Sequence, residues 1–269
     1  MKTILFTGAS SGIGLSSVQL FLKEGWRVVA TMRNPQAVAD KLPPSANLFV
    51  VSLDVTDGES IKSGFAFAMS RLGSLDVVVN NAGYGLIGPF EASEPEQVER
   101  QFSTNVFGLM NLVREVLPHF RERREGTIIN VSSMGGLFTF PLYSVYNSTK
   151  FAVEGFSEAL QHELRQFGVR VKLIEPGPIR TEFYERSQEI MRKPGLSAYD
   201  ALVNRAMKNM QESGKMAPGS EAVAQTILHA ATDRSWRLRY PVNSQGILAL
   251  RKLLPDNLFF ALVRTIVLR

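Results

Sequence analysis

The sequence predicts an α/β fold, a doubly wound parallel sheet of about seven strands with helices on both faces. Three observations lead there. Short apolar, β-branched runs alternate along the chain with helical patterns of about 10 to 15 residues, as βαβ units of a parallel sheet require. The run at residues 75–79, Leu-Asp-Val-Val-Val, is nearly continuous in its apolar character, as expected of a strand buried on both faces. A glycine cluster, Gly8, Gly12 and Gly14, occupies the first strand-to-helix turn. The 269 residues carry no Pro/Ser-rich linker, repeat or low-complexity run, so residues 1–269 read as one domain.

Residues 3–6 form the first strand, and Val18, Leu20, Phe21 and Leu22 give the apolar face of the helix behind the glycines. Between them, Gly8-Ala9-Ser10-Ser11-Gly12-Ile13-Gly14 lets backbone N–H groups approach a pyrophosphate at the helix N-terminus. The spacing G-x-x-x-G-x-G differs from the usual G-x-G-x-x-G dinucleotide fingerprint. Residues 26–31 are the second strand, and the residues just beyond its end bear on the cofactor. An NAD site places an acid about 20 residues past the glycines, whereas the 2′-phosphate of NADP calls for a cation. No acid lies between Glu24 and Asp40, and Arg33 stands at the strand end, which points to NADP(H).

Residues 47–53 form a third strand, followed by Asp54-Val55 and by Asp57 as a helix cap. Residues 75–79 form a fourth, ending in Asn80-Asn81-Ala82-Gly83. A long helical stretch over residues 95–123 carries Asn105 inside it, where asparagine lowers helix propensity and so either faces solvent or meets a buried partner. Residues 127–133, Thr-Ile-Ile-Asn-Val-Ser-Ser, deliver a hydroxyl to the carboxyl edge of the sheet, where ligands of open α/β sheets bind. A helix is expected over residues 146–166 and a sixth strand over 169–174, stopped by Glu175-Pro176-Gly177-Pro178. Residues 219–231 read as a helix and 236–242 as a last strand.

The chemistry is expected where residues 127–150 fold together. Tyr146 and Lys150 stand four apart and share one helix face. A fixed ammonium lowers a phenol from its ordinary pKa of about 10 by roughly 1 to 3, giving an acid or base usable near neutral pH. A tyrosine followed by a lysine at this spacing is often only an amphipathic helix, yet none of the five other tyrosines has that lysine.

Composition narrows the alternatives. There are no cysteines, which excludes disulfides and thiolate ligands and fits a reducing cytoplasm. The three histidines, at 119, 162 and 229, form no ligand-spaced cluster; no metal site is expected and helix-surface positions are. No N-terminal segment reads as a signal peptide, and no apolar run approaches the roughly 18 residues of a spanning helix. The net charge of +5 is concentrated after Arg234, without the dense basic patch of a nucleic-acid binder.

Taken together, the order and spacing of these motifs resemble the short-chain dehydrogenase/reductase family over nearly the whole chain, residues 3 to about 242. The resemblance implies a Rossmann-type fold. It also implies that Thr7-Gly8-x-x-x-Gly12-x-Gly14 is the cofactor loop, with Ser10, Ser11 and Ile13 lining it, and that Asp54 and Val55 meet the adenine. By the same resemblance, Asn81, Ala82 and Gly83 belong to the central-strand motif, and Pro176, Gly177, Ile179 and Thr181 clamp the nicotinamide. The implied catalytic group is Asn105, Ser133, Tyr146 and Lys150, with Ser132 the near alternative to Ser133. Tyr146 would exchange a proton with the substrate oxygen, Ser133 would hydrogen-bond it, and Lys150 would hold the nicotinamide ribose and bias Tyr146. Asn105 would anchor a water leading from Lys150 to solvent.

The implied activity is NADP(H)-dependent interconversion of a carbonyl and an alcohol on a small, apolar substrate, in a chain that assembles with copies of itself. A cofactor sensor without turnover and an epimerase that recycles its hydride are the rival readings. Gly135-Gly136 and the long ending look more like the hydroxysteroid and retinol dehydrogenase branch than like ketoacyl reductases. Residues 183–216, holding four of the nine methionines, are expected as short helical pieces forming a substrate lid. In residues 245–269 apolar positions recur at helical spacing, and Pro255 divides them into two helices. That tail could cover the substrate mouth, pack on the body or a second subunit, or lie on a membrane surface; covering the mouth is the working expectation.

Overall fold

The computed structural model describes residues 1–38, 40–181 and 187–268. Its centre is a seven-stranded, wholly parallel sheet. In chain order the strands are β1 (Thr3–Phe6), β2 (Arg27–Met32), β3 (Leu48–Ser52), β4 (Val77–Asn80), β6 (Gly126–Val131), β7 (Val169–Pro176) and β9 (Arg239–Val242). A separate parallel pair, β5 (Gly85–Ile87) and β8 (Gln188–Ile190), lies outside it. The main sheet runs β3-β2-β1-β4-β6-β7-β9, so the winding reverses between β1 and β4 and opens a crevice at their carboxyl ends.

Each face of the sheet is covered by its own apolar layer. On one, α1 (Gly12–Lys23) and α7 (Ser220–Thr232) bury Val18, Phe21, Val223 and Ile227 against Ile4, Phe6 and Val28. Phe21 packs edge-on against both Phe6 and Trp26, and each aliphatic or phenyl group so buried is worth about 1.5–3 kcal/mol. On the other, α2 (Gly58–Leu72), α4 (Leu109–Arg123) and α5 (Ser144–Leu164) bury Ile61, Leu112, Val116 and Leu160 against Leu5, Val78 and Val171. Asp57 caps α2, accepting from Glu59 N at 2.9 Å.

Several boundaries differ from the sequence expectation. The helical stretch of residues 95–123 is α3 (Pro95–Phe102) joined to α4 by a π-helical turn, Ser103–Gly108. Such turns arise where the hydrogen-bond ladder slips by one residue, and this one carries Asn105 inward. β7 runs two residues further than expected, to Pro176, because β9 pairs with its end. The last strand starts only at Arg239; Trp236 instead lies beneath the guanidinium groups of Arg165 and Arg170. His119 is not a free helix-surface residue, since its Nε2 accepts from Leu75 N at 3.1 Å.

Residues 183–186 of the expected lid lie outside the described residues. The remainder is not a set of short pieces but strand β8 followed by one 17-residue helix, α6 (Asp200–Met216). Leu202, Val203, Ala206, Met207 and Met210 give it a single apolar face, packed over Tyr143 and Tyr146. The tail forms two helices on either side of Pro255, α8 (Gln245–Leu253) and α9 (Asp256–Leu268); Arg269 lies outside the described residues. No helix among the described residues is long and apolar enough to cross a membrane.

Candidate active site

A cavity of about 1020 Å³ follows the crevice from the glycine turn to the apolar face of α6. Its wall near β1 is shaped by what glycine leaves out. A Cβ on Gly14 would stand 2.2 Å from the Gly8 carbonyl oxygen, and one on Gly8, at φ +65°, 2.8 Å from Ala82 Cα. Asn81 locks the turn, its Nδ2 donating to the carbonyls of Thr7 and Gly8 at 3.0 Å each. Thr7 Oγ1 accepts from Asn81 N and Ala82 N at 3.0 and 3.1 Å. The N-cap of α1, Ser11, makes no side-chain capping bond, so the first N–H groups of a 12-residue helix stay available to an anion. This cradle fits the pyrophosphate of a dinucleotide.

Ser10, Ser11, Gly12 and Ile13 line this end, with Arg33, Asp54 and Val55 further along the wall. The Arg33 side chain is exposed at the end of β2. Asp54 Oδ1 accepts from Thr56 N and Thr56 Oγ1 at 2.9 and 2.7 Å, fixing the β3 edge. Ala82, Gly83, Pro176, Gly177, Ile179 and Thr181 continue the lining toward the middle. Gly177 is required by space, as a Cβ there would meet Asn243 O at 2.2 Å.

The inner end gathers Ser132, Ser133, Tyr146 and Lys150. Ser133 Oγ accepts from Gly135 N at 3.0 Å and donates to Pro176 O at 3.4 Å, which ties the turn after β6 to the end of β7. Lys150 Nζ donates to Val131 O at 2.9 Å and sits 5.7 Å from the centre of the Tyr146 ring. Burial pulls the Lys150 ammonium down to about 8, against the nearby Glu154 carboxylate, which raises it. Tyr146 is itself buried, stacked edge-on against Tyr143, which in turn meets Phe140.

Of the residues singled out from the sequence, Gly14 and Asn105 are not on the cavity wall. Gly14 is packed behind the glycine turn. Asn105 lies 2% exposed beneath the site: its Nδ2 donates to Tyr84 O and Thr149 Oγ1 at 2.9 and 3.1 Å, and its Oδ1 accepts from Tyr84 N at 3.1 Å. The buried-partner alternative therefore describes it, and the π turn is what aims it at α5. A second buried chain, Asn80 Nδ2 to Asn130 Oδ1 and Asn130 Nδ2 to Ser157 Oγ, at 2.8 Å each, joins β4, β6 and α5. Sequence reasoning missed Asn130 and Ser157, whose polarity inside otherwise apolar elements was the available signal.

The end of the cavity under α6 is mostly apolar, with Gln188 and Ser213 also in its lining. Phe140, Tyr143, Met210, Ile266 and Val267 line it. Phe259 of α9 is fully buried against Phe138, with ring centres 5.2 Å apart, so the tail rests on the turn that follows Ser133. Asn209 Nδ2 donates to Val267 O at 3.0 Å and Arg205 Nη1 to Leu268 O at 3.3 Å, which fastens α6 to the tail. Among the described residues no three His, Asp or Glu side chains stand together as a metal site.

Another buried lysine and tyrosine, Lys172 and Tyr240, form a network with Asp233: Lys172 Nζ donates to Tyr240 Oη at 2.7 Å and Tyr240 Oη to Asp233 Oδ2 at 2.5 Å. None of the three lines the cavity, and the network ties β7 to β9.

The short chain dehydrogenase family profile matches residues 2–191. An uncharacterized oxidoreductase of Schizosaccharomyces pombe is 42% identical over 232 residues, 86% of this chain and 97% of that protein. The crystal structure of a short-chain dehydrogenase/reductase from Burkholderia phymatum in complex with NAD superposes with a TM-score of 0.82 at 26% identity, covering 94% of this chain and 92% of the other. A structure of ElxO with NADP bound gives a TM-score of 0.73 at 26% identity, covering 90% and 96%. With its sheet order, glycine turn and matched profile, the chain belongs to the short-chain dehydrogenase/reductase family of oxidoreductases.

Proposed function

We propose that this chain is an NADP(H)-dependent alcohol dehydrogenase or carbonyl reductase acting on a small apolar substrate. The observation that carries the reading is one continuous cavity. It begins at a glycine cradle and uncapped helix N-terminus, passes Ser133, Tyr146 and Lys150, and ends among Phe140, Met210 and Val267. Gly8 to Gly14 would hold the pyrophosphate, Asp54 and Val55 the adenine, and Pro176 to Thr181 the nicotinamide. Arg33 would meet the 2′-phosphate. When bound, the nicotinamide supplies or accepts the hydride at the substrate carbon.

The protein's own groups manage the oxygen. In reduction, Tyr146 gives its phenolic proton to the carbonyl oxygen as charge develops there, and Ser133 donates a hydrogen bond to the same atom. Positioned acid catalysis of this kind is worth about 100 to 10,000-fold, and hydrogen bonds to the developing charge add a comparable factor. Lys150 holds the nicotinamide ribose and keeps positive charge beside the phenol. Asn105, joined to Thr149, anchors the path by which the proton is replaced from solvent. Consumption of NADPH over a panel of aromatic and alicyclic ketones tests the reading; binding without turnover across the panel would favour a sensor.

Within this reading α6 and the tail form the lid over the apolar end. Truncation after Ser244 is expected to raise KM for apolar ketones by roughly 10-fold or more, since about 1.4 kcal/mol of lost contact gives that factor, while NADPH affinity is spared. Unchanged kinetics in a folded truncation would reject the tail as a lid. The cytoplasm as compartment and assembly with further copies of the chain belong to the same proposal, the first argued from the absence of cysteine.

A further inference from the structure

Behind Lys150, away from the cavity, lies a group of charges for which the mechanism above has no use. Glu154 follows Lys150 by one helical turn on α5 and is 4% exposed; Glu175, just before Pro176, is 1% exposed. Arg239 on β9 joins them. Its Nη2 stands 3.2 Å from Glu154 Oε2 and 3.0 Å from Glu158 Oε2, and its Nε 3.3 Å from Glu175 Oε1. The turn after the serines closes the group on the site side: a Cβ on Gly136 would lie 2.8 Å from Glu154 Cγ, 2.9 Å from Lys150 O and 2.9 Å from Ser132 Oγ.

Neither carboxylate lines the cavity, so neither touches substrate or cofactor. Two buried carboxylates are costly to keep unless charge and geometry compensate them. A parallel sheet has no structural need for a buried carboxylate one helical turn from its active-site lysine, with a second joined to it through Arg239. Resting on the oxidoreductase reading, we propose that Glu154 is a positioning residue for the reaction, holding Lys150 in its ammonium form beside Tyr146, and that Arg239 in turn keeps Glu154 ionised.

The surrounding charges support this direction. Burial lowers Lys150, and Glu154 is the group that opposes the fall. Burial raises Glu154; a hydrogen bond from Ser132, and after it the charges of Arg239 and Lys150, act against the rise, while Glu158 reinforces it. Glu175 is pushed up to about 7 by burial and by Glu154, while Arg239, Lys252 and Arg237 pull it down. Because each carboxylate repels the other, protonation of Glu175 would relieve Glu154 and leave the charge there. Removing the Glu154 charge frees burial to act on Lys150 unopposed, so the amine loses its proton at lower pH. Removing Glu175 takes away repulsion on Glu154 and does not have that effect.

Competitive labelling of the full-length protein with acetic anhydride across a pH series, quantified at Lys150 by peptide mass spectrometry, reads the neutral amine directly. The expected half-labelling pH falls by about one unit in Glu154→Gln, falls likewise in Arg239→Gln, and stays or rises in Glu175→Gln; Glu154→Asp restores the wild-type value. The alkaline limb of kcat should move with it, with KM for the ketone unchanged. A half-labelling pH that stays put in folded Glu154→Gln and Arg239→Gln, or that falls equally in Glu175→Gln, overturns the proposal. A wild type that turns over no carbonyl would reject the oxidoreductase reading and leave the labelling comparison to decide this one.

Discussion

Replacing Tyr146 by phenylalanine is expected to remove nearly all turnover, a loss of about 100 to 10,000-fold, while NADPH affinity stays within a few-fold. The ring is buried against Tyr143 and packs under α6, and phenylalanine keeps that packing, so only the hydroxyl is lost. The proposed task of that hydroxyl lies with the substrate oxygen and not with the pyrophosphate, which would be held at the glycine turn. Lys150→Ala should behave differently and damage both turnover and cofactor affinity, because in the proposed reading one ammonium would serve both the ribose and the phenol. Steady-state kinetics together with NADPH titration separate the two variants. A phenylalanine variant that kept a tenth of wild-type activity would show that Tyr146 is not the acid.

Arg33→Ala is expected to weaken NADPH by roughly 10 to 150-fold, because a charge-assisted hydrogen bond to phosphate is worth about 1.5 to 3 kcal/mol. NADH affinity should change little. The side chain lines the cavity at the end of β2 while exposed to water, so its loss leaves no hole in the core. Solved relatives hold either dinucleotide, so the preference has to come from this chain's own residues. Titration of wild type and variant with both cofactors checks it, and equal wild-type affinities would contradict it.

The central sheet is legible in the sequence because its strands are buried on both faces and therefore read as nearly continuous apolar runs, as in Val77–Asn80 and Gly126–Val131. The glycine turn is legible because backbone contacts of 2.2 to 2.8 Å tolerate no side chain, and only glycine meets that demand. The hidden features depend on partners distant in the chain. β5 and β8 are three residues each and pair across about a hundred intervening positions, so neither carries a local signal. The π turn at Ser103–Gly108 goes with the bonds of Asn105 to Tyr84 and Thr149, partners that no local pattern announces. α6 reads as fragments because its apolar face, Leu202, Val203, Ala206, Met207 and Met210, is followed from Gln211 to Lys215 by polar residues and a glycine.

The same distinction runs through the site. Tyr146 and Lys150 declare themselves by a four-residue spacing within one helix. Glu154, Glu175 and Arg239 come from α5, β7 and β9, and nothing in the sequence announces that they meet. Ser132 and Ser133 both line the cavity, but the Ser133 hydroxyl is the one tied to Gly135 and Pro176 at the mouth of the turn.

The most direct measurement is transfer of deuterium from NADPH carrying deuterium at both nicotinamide C4 positions to a ketone drawn from the aromatic and alicyclic panel, with mass spectrometry of the product. The expected product is an alcohol carrying the label on its carbinol carbon, formed in proportion to NADPH consumed and lost in Tyr146→Phe. NADPH that binds but keeps its label with every carbonyl offered, or a substrate that inverts with no net change in NADPH, would contradict the assignment as a carbonyl reductase.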